Sequence, residues 1–160
     1  MIAAVVLAAG ASSRYGTTPP KQQVFLPRVL EALRASRVDE IVVVAGAHPV
    51  DADVRVVQCA EWEHGPGASL RCGLAALGRE VEAAVVVLAD GPELDPRAID
   101  RVVAAWHGEP AVAATYGGVR LHPVLLAREA WPLVPDEGAR GIDAKAVPCD
   151  DLHDPGDVDE

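Results

Sequence analysis

The sequence IAAVVLAAGASSRYG, residues 2–16, begins as a continuous apolar run and ends in a loop of small and polar residues. An unbroken apolar run of this length is typical of a strand that is buried on both faces, as in a parallel sheet. Gly10 stands where that strand would leave the sheet. Ligands of open α/β sheets bind at this carboxyl edge, so the loop is the first candidate site.

Further apolar runs alternate with helical patterns along the rest of the chain. Strands are predicted at residues 2–8, 40–45, 54–58, 83–89, 111–116, 119–126 and 144–147. Helices are predicted around residues 26–33, 69–78 and 99–106, with Ser69 and Asp95 as candidate N-caps. This alternation predicts one Rossmann-like domain over residues 1–160, a three-layer α/β/α fold with a mostly parallel central sheet. Residues 150–160 form an acidic tail.

The charge balance limits the partners. The chain carries 24 acidic and 14 basic residues, a net charge of −10, and six of the acids lie in residues 150–160. This balance argues against a nucleic-acid partner. An anionic substrate is repelled at long range as well, so a phosphate site must be local, built from backbone N–H groups, a few cations and a metal ion.

Compartment and redox state are also predicted from the sequence. No apolar run reaches the roughly 18 residues of a membrane span, and the first run lacks the basic segment of a signal peptide. The three cysteines, Cys59, Cys72 and Cys149, match no metal or redox spacing. We therefore expect a cytoplasmic protein with reduced thiols and no membrane partner.

Two segments place charged groups at predicted strand ends. Gly10 is followed by Arg14 and Lys21, and such a loop offers N–H groups and cations to phosphate oxygens. An ordinary loop with two solvated bases is the alternative. Asp90 ends the strongest predicted strand, where a carboxylate can hold Mg²⁺ together with substrate phosphates. The alternative for Asp90 is a residue that only opens a turn.

Two further segments are weaker candidates. Residues 65–74 lead a glycine loop into a helix, where Gly67 and Ser69 could offer free N–H groups to a base or a phosphate. Simple capping of the helix explains the same pattern. His122 follows a Gly117-Gly118 turn and could contact a second substrate, although a lone strand histidine is more often structural.

Together these segments resemble the MobA-like nucleotidyltransferases, in particular the molybdenum-cofactor cytidylyltransferases. Residues 7–16 match the family's LAAG-x-S-x-R-[MF]-G opening, and residues 88–92 match its LADQP motif except at Gly91. Four other family segments have counterparts in the family's order: W-x-x-G-x-x-x-SL-x-x-GL at residues 62–74, G-x-RGHPVLF at 118–126, GD-x-GAR at 135–140 and D-[IV]-D-TPED at 151–157.

The resemblance implies an activity and a role for each segment. Gly10, Arg14 and Lys21 would hold a nucleoside triphosphate, with Arg14, Lys21 and Asp90 as the catalytic residues. The nucleoside would contact Leu7, Ala8, Ala9, Gly67 and Ser69. Asp90 would bind Mg²⁺; because His153 stands at the family's second carboxylate, Asp151 or Asp154 would replace it. His122 would contact the acceptor, whose phosphate attacks the α-phosphorus and releases pyrophosphate.

The resemblance also predicts the substrates. In this family LAAG accompanies cytidylyl transfer, so Ala9 favours CTP over GTP, and molybdopterin is the expected acceptor. Guanylyl transfer and transfer to a sugar phosphate or metabolite phosphate remain alternatives, as does a degenerate, non-catalytic nucleotide-binding module. The seven-residue spacing from Arg14 to Lys21 resembles that of the cytidylyltransferase of the methylerythritol phosphate pathway instead.

Overall fold

A seven-stranded sheet forms the centre of the computed structural model, which describes residues 1–9 and 21–156. Its strands are β1 (Ile2–Ala8), β2 (Glu40–Ala45), β3 (Arg55–Gln58), β4 (Ala83–Leu88), β5 (Ala111–Tyr116), β6 (Val119–Ala127) and β7 (Lys145–Pro148). The helices are α1 (Lys21–Arg34), α2 (Pro66–Ala75) and α3 (Pro96–Ala105), and short 3-10 turns lie at Trp62–His64, Arg128–Leu133 and Ala139–Gly141.

The sheet is mostly parallel, as predicted. Its strand order is β3-β2-β1-β4-β6-β5-β7, and within the described chain only the pairs that contain β6 are antiparallel. The cause is a hairpin between β5 and β6, which turns at Gly117 and Gly118 with φ of 59° and 82°. Positive φ at both central residues suits glycine and gives a turn whose twist matches that of the strands.

Alternate residues of the buried strands face two separate apolar layers. Val6 packs with the layer that contains Leu26 of α1 and Ile99 of α3, whereas Val5 packs with the layer that contains Leu70 of α2. The predicted three-layer α/β/α domain is therefore confirmed. Burial on both faces explains why β1, β2 and β4 are continuous Val, Ile and Ala runs instead of alternating patterns.

Helix α2 begins earlier than the sequence predicts. Its first residue is Pro66 and its N-cap is Gly65, at φ 115°, so the predicted capping by Ser69 is wrong. Proline at the first helical position loses no hydrogen bond, because that N–H has no partner inside the helix. By contrast, the predicted cap of α3 is confirmed, since the Asp95 side chain accepts from the Arg97 backbone N–H at 2.8 Å.

The prediction of three reduced thiols is wrong for two of them. Cys59, just after β3, and Cys72, in α2, form a disulfide with their Cα atoms 5.9 Å apart. Cys149 is a buried free thiol. The sequence shows only a separation of 13 residues; the two cysteines meet because α2 folds back over the sheet beside β2 and β3. In the part of the chain described, no helix is long and apolar enough to cross a membrane.

Candidate active site at the carboxyl edge of the sheet

The ends of β1 and β4 lie side by side at one edge of the sheet. The two strands are parallel neighbours with Leu7 opposite Leu88, and the Ala89 N–H donates to the Leu7 carbonyl at 3.0 Å. Ala9 and Asp90, each two residues further on, therefore leave the sheet next to each other. The strand ends that lead into the two strongest predicted motifs are therefore neighbours at the edge where α/β proteins bind ligands.

A cavity of about 330 Å³ opens at this edge, and we name it the edge cleft. Leu7 and Leu88 line it from the strand ends, and β6 contributes Arg120 and His122. The opposite side is formed by residues 137–140. β6 reaches this edge because it runs antiparallel to β4: Val124 pairs with Val86, so His122 lies at the level of the end of β4. The insertion of β6 therefore places the predicted acceptor residue beside the end of β4, which leads to Asp90.

Two arginines that the sequence analysis did not assign hold the side of the cleft formed by residues 134–142, here named the wall loop. Arg71 of α2 donates to the Val134 carbonyl at 2.7 Å and to the Asp136 carboxylate at 2.8 Å. Arg120 of β6 donates to the carbonyls of Ile142 at 2.7 Å and Ala139 at 2.8 Å. Burial lowers the pKa of Arg120, with Asp143 acting in the opposite direction. Nothing in their sequence spacing separates these arginines from solvated bases.

Gly67 and Ser69 lie beneath the wall loop, where both residues are buried. The Gly67 N–H donates to the Asp136 carbonyl at 2.8 Å, so the prediction of a free N–H at this position is wrong. Ser69, 3% exposed, is the one buried polar residue in the described chain. Their contact with a nucleoside stays a prediction, as does that of Ala8 and Ala9, which are 2% and 5% exposed.

His122 is an uncharged group at neutral pH. Desolvation, and to a smaller extent the Arg120 charge, lower the pKa of His122 to about 4, and Asp90 acts in the opposite direction. Asp90 affects the pKa of His122 because these two predicted site residues lie close together. The backbone here is tied to β5, since the Tyr116 hydroxyl donates to the His122 carbonyl at 3.2 Å. A neutral imidazole can donate or accept a hydrogen bond but brings no positive charge to the cleft.

The depressed pKa of His122 predicts a loss of stability in mild acid. Above pH 6.5 both the folded and unfolded states hold neutral imidazole; between about pH 6.5 and 4 only the unfolded state takes up the proton. We expect roughly 3 kcal/mol of unfolding free energy to be lost as the pH falls through this window. Urea unfolding at several pH values measures it.

The control separates His122 from the other titrating groups. His122→Gln is expected to remove this part of the pH dependence, while His107→Gln, which changes an exposed histidine, keeps it. A pH dependence that is identical in wild type and His122→Gln would contradict the assignment.

Asp151 and Asp154, the two carboxylates considered beside Asp90, stay predictions as metal ligands: both are exposed, and Asp154 accepts from the Gly156 N–H at 2.9 Å. Arg101 of α3 donates to both oxygens of the exposed Asp151 at 2.7 Å, and this hydrogen bonding lowers the Asp151 pKa to about 2. The segment that carries Asp154 instead runs along the turn after Asp90, where the Glu93 N–H donates to the Pro155 carbonyl at 2.9 Å. Among the described residues, no three His, Cys, Asp or Glu side chains converge on one metal position.

The remaining predicted residues cannot be placed in the same way. Gly10 and Arg14 lie outside the described residues. Lys21 is the first residue of α1, but its side chain is not described.

A mostly parallel sheet with a cleft at its carboxyl edge defines an α/β protein of the Rossmann-like class. The chain belongs to the family of the MobA-like NTP transferase domain, whose model matches residues 4–146. By family it is a nucleotidyltransferase, which confirms the predicted resemblance. A comparison with curated proteins found no match in sequence.

Solved structures show the same fold. Rv0371c of Mycobacterium tuberculosis superposes with a TM-score of 0.77 at 24% identity, over 92% of this chain and 87% of that one. A structure of that protein in complex with manganese gives a TM-score of 0.70 at 23% identity, over 92% and 87%. A 4-diphosphocytidyl-2C-methyl-D-erythritol synthase from Anaerococcus prevotii gives 0.64 at 16% identity, over 92% and 88%.

Proposed function

We propose that this domain transfers CMP from CTP to a phosphate-bearing acceptor such as molybdopterin, with Mg²⁺ and with release of pyrophosphate. The observation that carries the proposal is the adjacency of the β1 and β4 ends beside the edge cleft. A triphosphate held by the loop after β1 would lie next to Asp90, and an acceptor in the cleft would lie next to both. The family supports a nucleoside triphosphate as one substrate.

In the proposed reaction an oxygen of the acceptor phosphate attacks the α-phosphorus of CTP. A new P–O bond forms as the bond to the β-phosphate breaks, and pyrophosphate leaves with the electron pair. No covalent intermediate on the protein is required, so catalysis comes from positioning and from neutralising charge. Gly10, Arg14 and Lys21 would hold the triphosphate, and Leu7, Ala8, Ala9, Gly67 and Ser69 would surround the nucleoside.

The residues at this edge fit a divalent cation. Asp90 follows a buried strand, Asp151 or Asp154 would supply a second carboxylate, and oxygen ligands are those that Mg²⁺ prefers. Bound there with the substrate phosphates, the ion would neutralise the triphosphate and the leaving pyrophosphate. The structure of Rv0371c with manganese supports a divalent cation in a protein of this fold.

CTP is the proposed nucleotide because Ala9 stands where the family's cytidylyltransferases have alanine. Ala9 is held in place, since its carbonyl accepts from the Ala47 N–H at 3.2 Å, and it is almost fully buried. GTP, or an acceptor that is a sugar phosphate or metabolite phosphate, is the alternative within the same class. A protein that binds nucleotide without turnover is the alternative from another class.

Thermal stabilisation by nucleotides tests the proposal directly. CTP, GTP, ATP and UTP are compared, each with and without Mg²⁺, on wild type and Asp90→Asn. A ligand present at about 100 times its Kd stabilises the native state by roughly 2.7 kcal/mol, or roughly 5–10 °C in a domain of this size. We expect that shift with CTP and Mg²⁺ in wild type, and a much smaller one in Asp90→Asn.

The other outcomes each select an alternative. A shift with GTP alone would replace cytidylyl by guanylyl transfer. Binding of a nucleotide with no pyrophosphate release in the presence of molybdopterin or of sugar phosphates would favour a non-catalytic module. No shift with any nucleotide at millimolar concentration would contradict the proposed function.

A further inference from the structure

Arg140 projects from the wall loop as a cation without a carboxylate partner in the described part of the chain. It is exposed and lines the edge cleft. Arg71 and Arg120, the other described arginines beside the cleft, donate to the carbonyls and the carboxylate of the wall loop. Among the described residues that line the cleft, Arg140 is therefore the guanidinium whose donors are not used by another described residue.

The backbone that carries Arg140 is held by hydrogen bonds, although no carboxylate of the described residues pairs with its side chain. The Ala139–Gly141 turn is closed by hydrogen bonds from the Gly141 N–H to the Gly138 carbonyl and from the Ile142 N–H to the Ala139 carbonyl, both 3.0 Å. Arg120 also holds both Ala139 and Ile142. Because this backbone is already fixed, less conformational entropy is lost when a ligand binds to the Arg140 side chain.

The rest of the cleft indicates the kind of ligand. Leu7, Leu88 and Val124 give it apolar surface, and Glu137 is the acid on its outer side. An arginine guanidinium suits a phosphate, which it can bind with two parallel hydrogen bonds. The net charge of −10 repels an anionic substrate at long range. A guanidinium in the cleft would attract the substrate locally.

We propose that Arg140 binds the phosphate of the acceptor and orients it toward the nucleotide. This inference rests on the proposed function, because the same cleft would otherwise hold no acceptor. It assigns the acceptor's charged group to the wall loop and leaves the rest of the acceptor against Leu88 and Val124. His122 would then contact the acceptor through a neutral hydrogen bond.

Chemical modification of the wild-type protein tests the inference without requiring turnover. Phenylglyoxal modifies exposed arginines, and mass spectrometry follows Arg140 and Arg79 separately. Arg79 is the internal control because it is exposed at the opposite edge of the sheet, just before β4. The probe is phenyl phosphate, a phosphomonoester with a flat apolar body, and phenol is its match without the phosphate.

We expect phenyl phosphate to slow modification of Arg140 about fivefold or more and to leave Arg79 unchanged, because a bound phosphate occupies the guanidinium donors. Phenol should protect neither residue. Equal protection of both arginines, or protection of neither, would overturn the inference. Protection of Arg140 by CTP with Mg²⁺ but not by phenyl phosphate would also overturn it, since the residue would then belong to the triphosphate.

A binding measurement on matched variants gives a second, independent test. In a ³¹P titration the Kd for phenyl phosphate should rise about tenfold or more in Arg140→Gln, the loss expected for one charge-assisted hydrogen bond, and stay unchanged in Arg79→Gln. An unchanged Kd in Arg140→Gln would overturn the inference. Protection of Arg140 in a protein that shows no nucleotide shift would instead contradict the proposed function and leave the phosphate site standing.

Discussion

Replacing Asp90 by asparagine is expected to reduce Mg²⁺-dependent turnover by about a thousandfold or more while leaving the melting temperature nearly unchanged. The amide keeps the size of the side chain but removes the charge that would hold the cation. A metal ion contributes several kcal/mol to stabilisation of the transition state, and roughly 4 kcal/mol corresponds to a factor of about a thousand. Pyrophosphate release at saturating CTP measures the effect.

Two variants make the result specific to Asp90. Glu129→Gln removes an exposed carboxylate beyond the end of β6, at the opposite edge of the sheet, and should keep full turnover. Asp151→Asn removes the carboxylate that is bound to Arg101 and should lose far less turnover than Asp90→Asn. Normal turnover in Asp90→Asn would show that Asp90 is not a metal ligand. A loss of turnover in Asp151→Asn as large as that in Asp90→Asn would indicate that Asp151 is one.

Gly67→Ala is expected to cause the largest loss of stability of any change proposed for this protein. A Cβ atom at this position would lie 1.7 Å from the Pro135 carbonyl oxygen and 2.8 Å from the Asp136 carbonyl carbon. Backbone atoms cannot swing away as a side chain can, so α2 and the wall loop must separate and break the Gly67–Asp136 hydrogen bond. We expect about 3 kcal/mol or more of unfolding free energy to be lost, measured by urea denaturation.

Gly78→Ala is the matched control. A Cβ atom there would meet only the flexible carboxylate end of Glu80, which can move aside. This variant should stay within about 1 kcal/mol of wild type. If Gly67→Ala were as stable as Gly78→Ala, the wall loop could not pack against α2 as described, and the cleft would lack that side.

The parallel part of the fold was predictable because its signal is local. β1, β2 and β4 are buried on both faces, so each is a continuous aliphatic run, and helices α1 and α3 have apolar residues at helical spacing. The start of α2 was predicted three residues too late. A serine is a common N-cap, but Gly65 and Pro66 supply the turn, and Ser69 is drawn into the buried part of the helix.

The contacts across the chain could not be predicted in this way. The disulfide joins Cys59, just after β3, to Cys72 of α2, and the two are brought together only by how the helix folds over the sheet. The wall loop is held by Arg71 and Arg120, which lie on different elements. Asp151 accepts hydrogen bonds from Arg101, which lies 50 residues away in the sequence. The partners of long polar side chains depend on distances in the folded protein. A pattern of residues along the sequence does not contain those distances.

The sequence by itself determined the α/β class, the order of the elements, the family and the two strand ends where ligands are expected. These features follow from apolar periodicity and from short motifs, which are properties of neighbouring residues. Only the tertiary structure decided that antiparallel β6 lies between β4 and β5, that this places His122 beside the end of β4, and that Arg140 lines the cleft without a carboxylate partner among the described residues. The reason is physical: strand pairing and side-chain pairing depend on which segments meet after the core has formed.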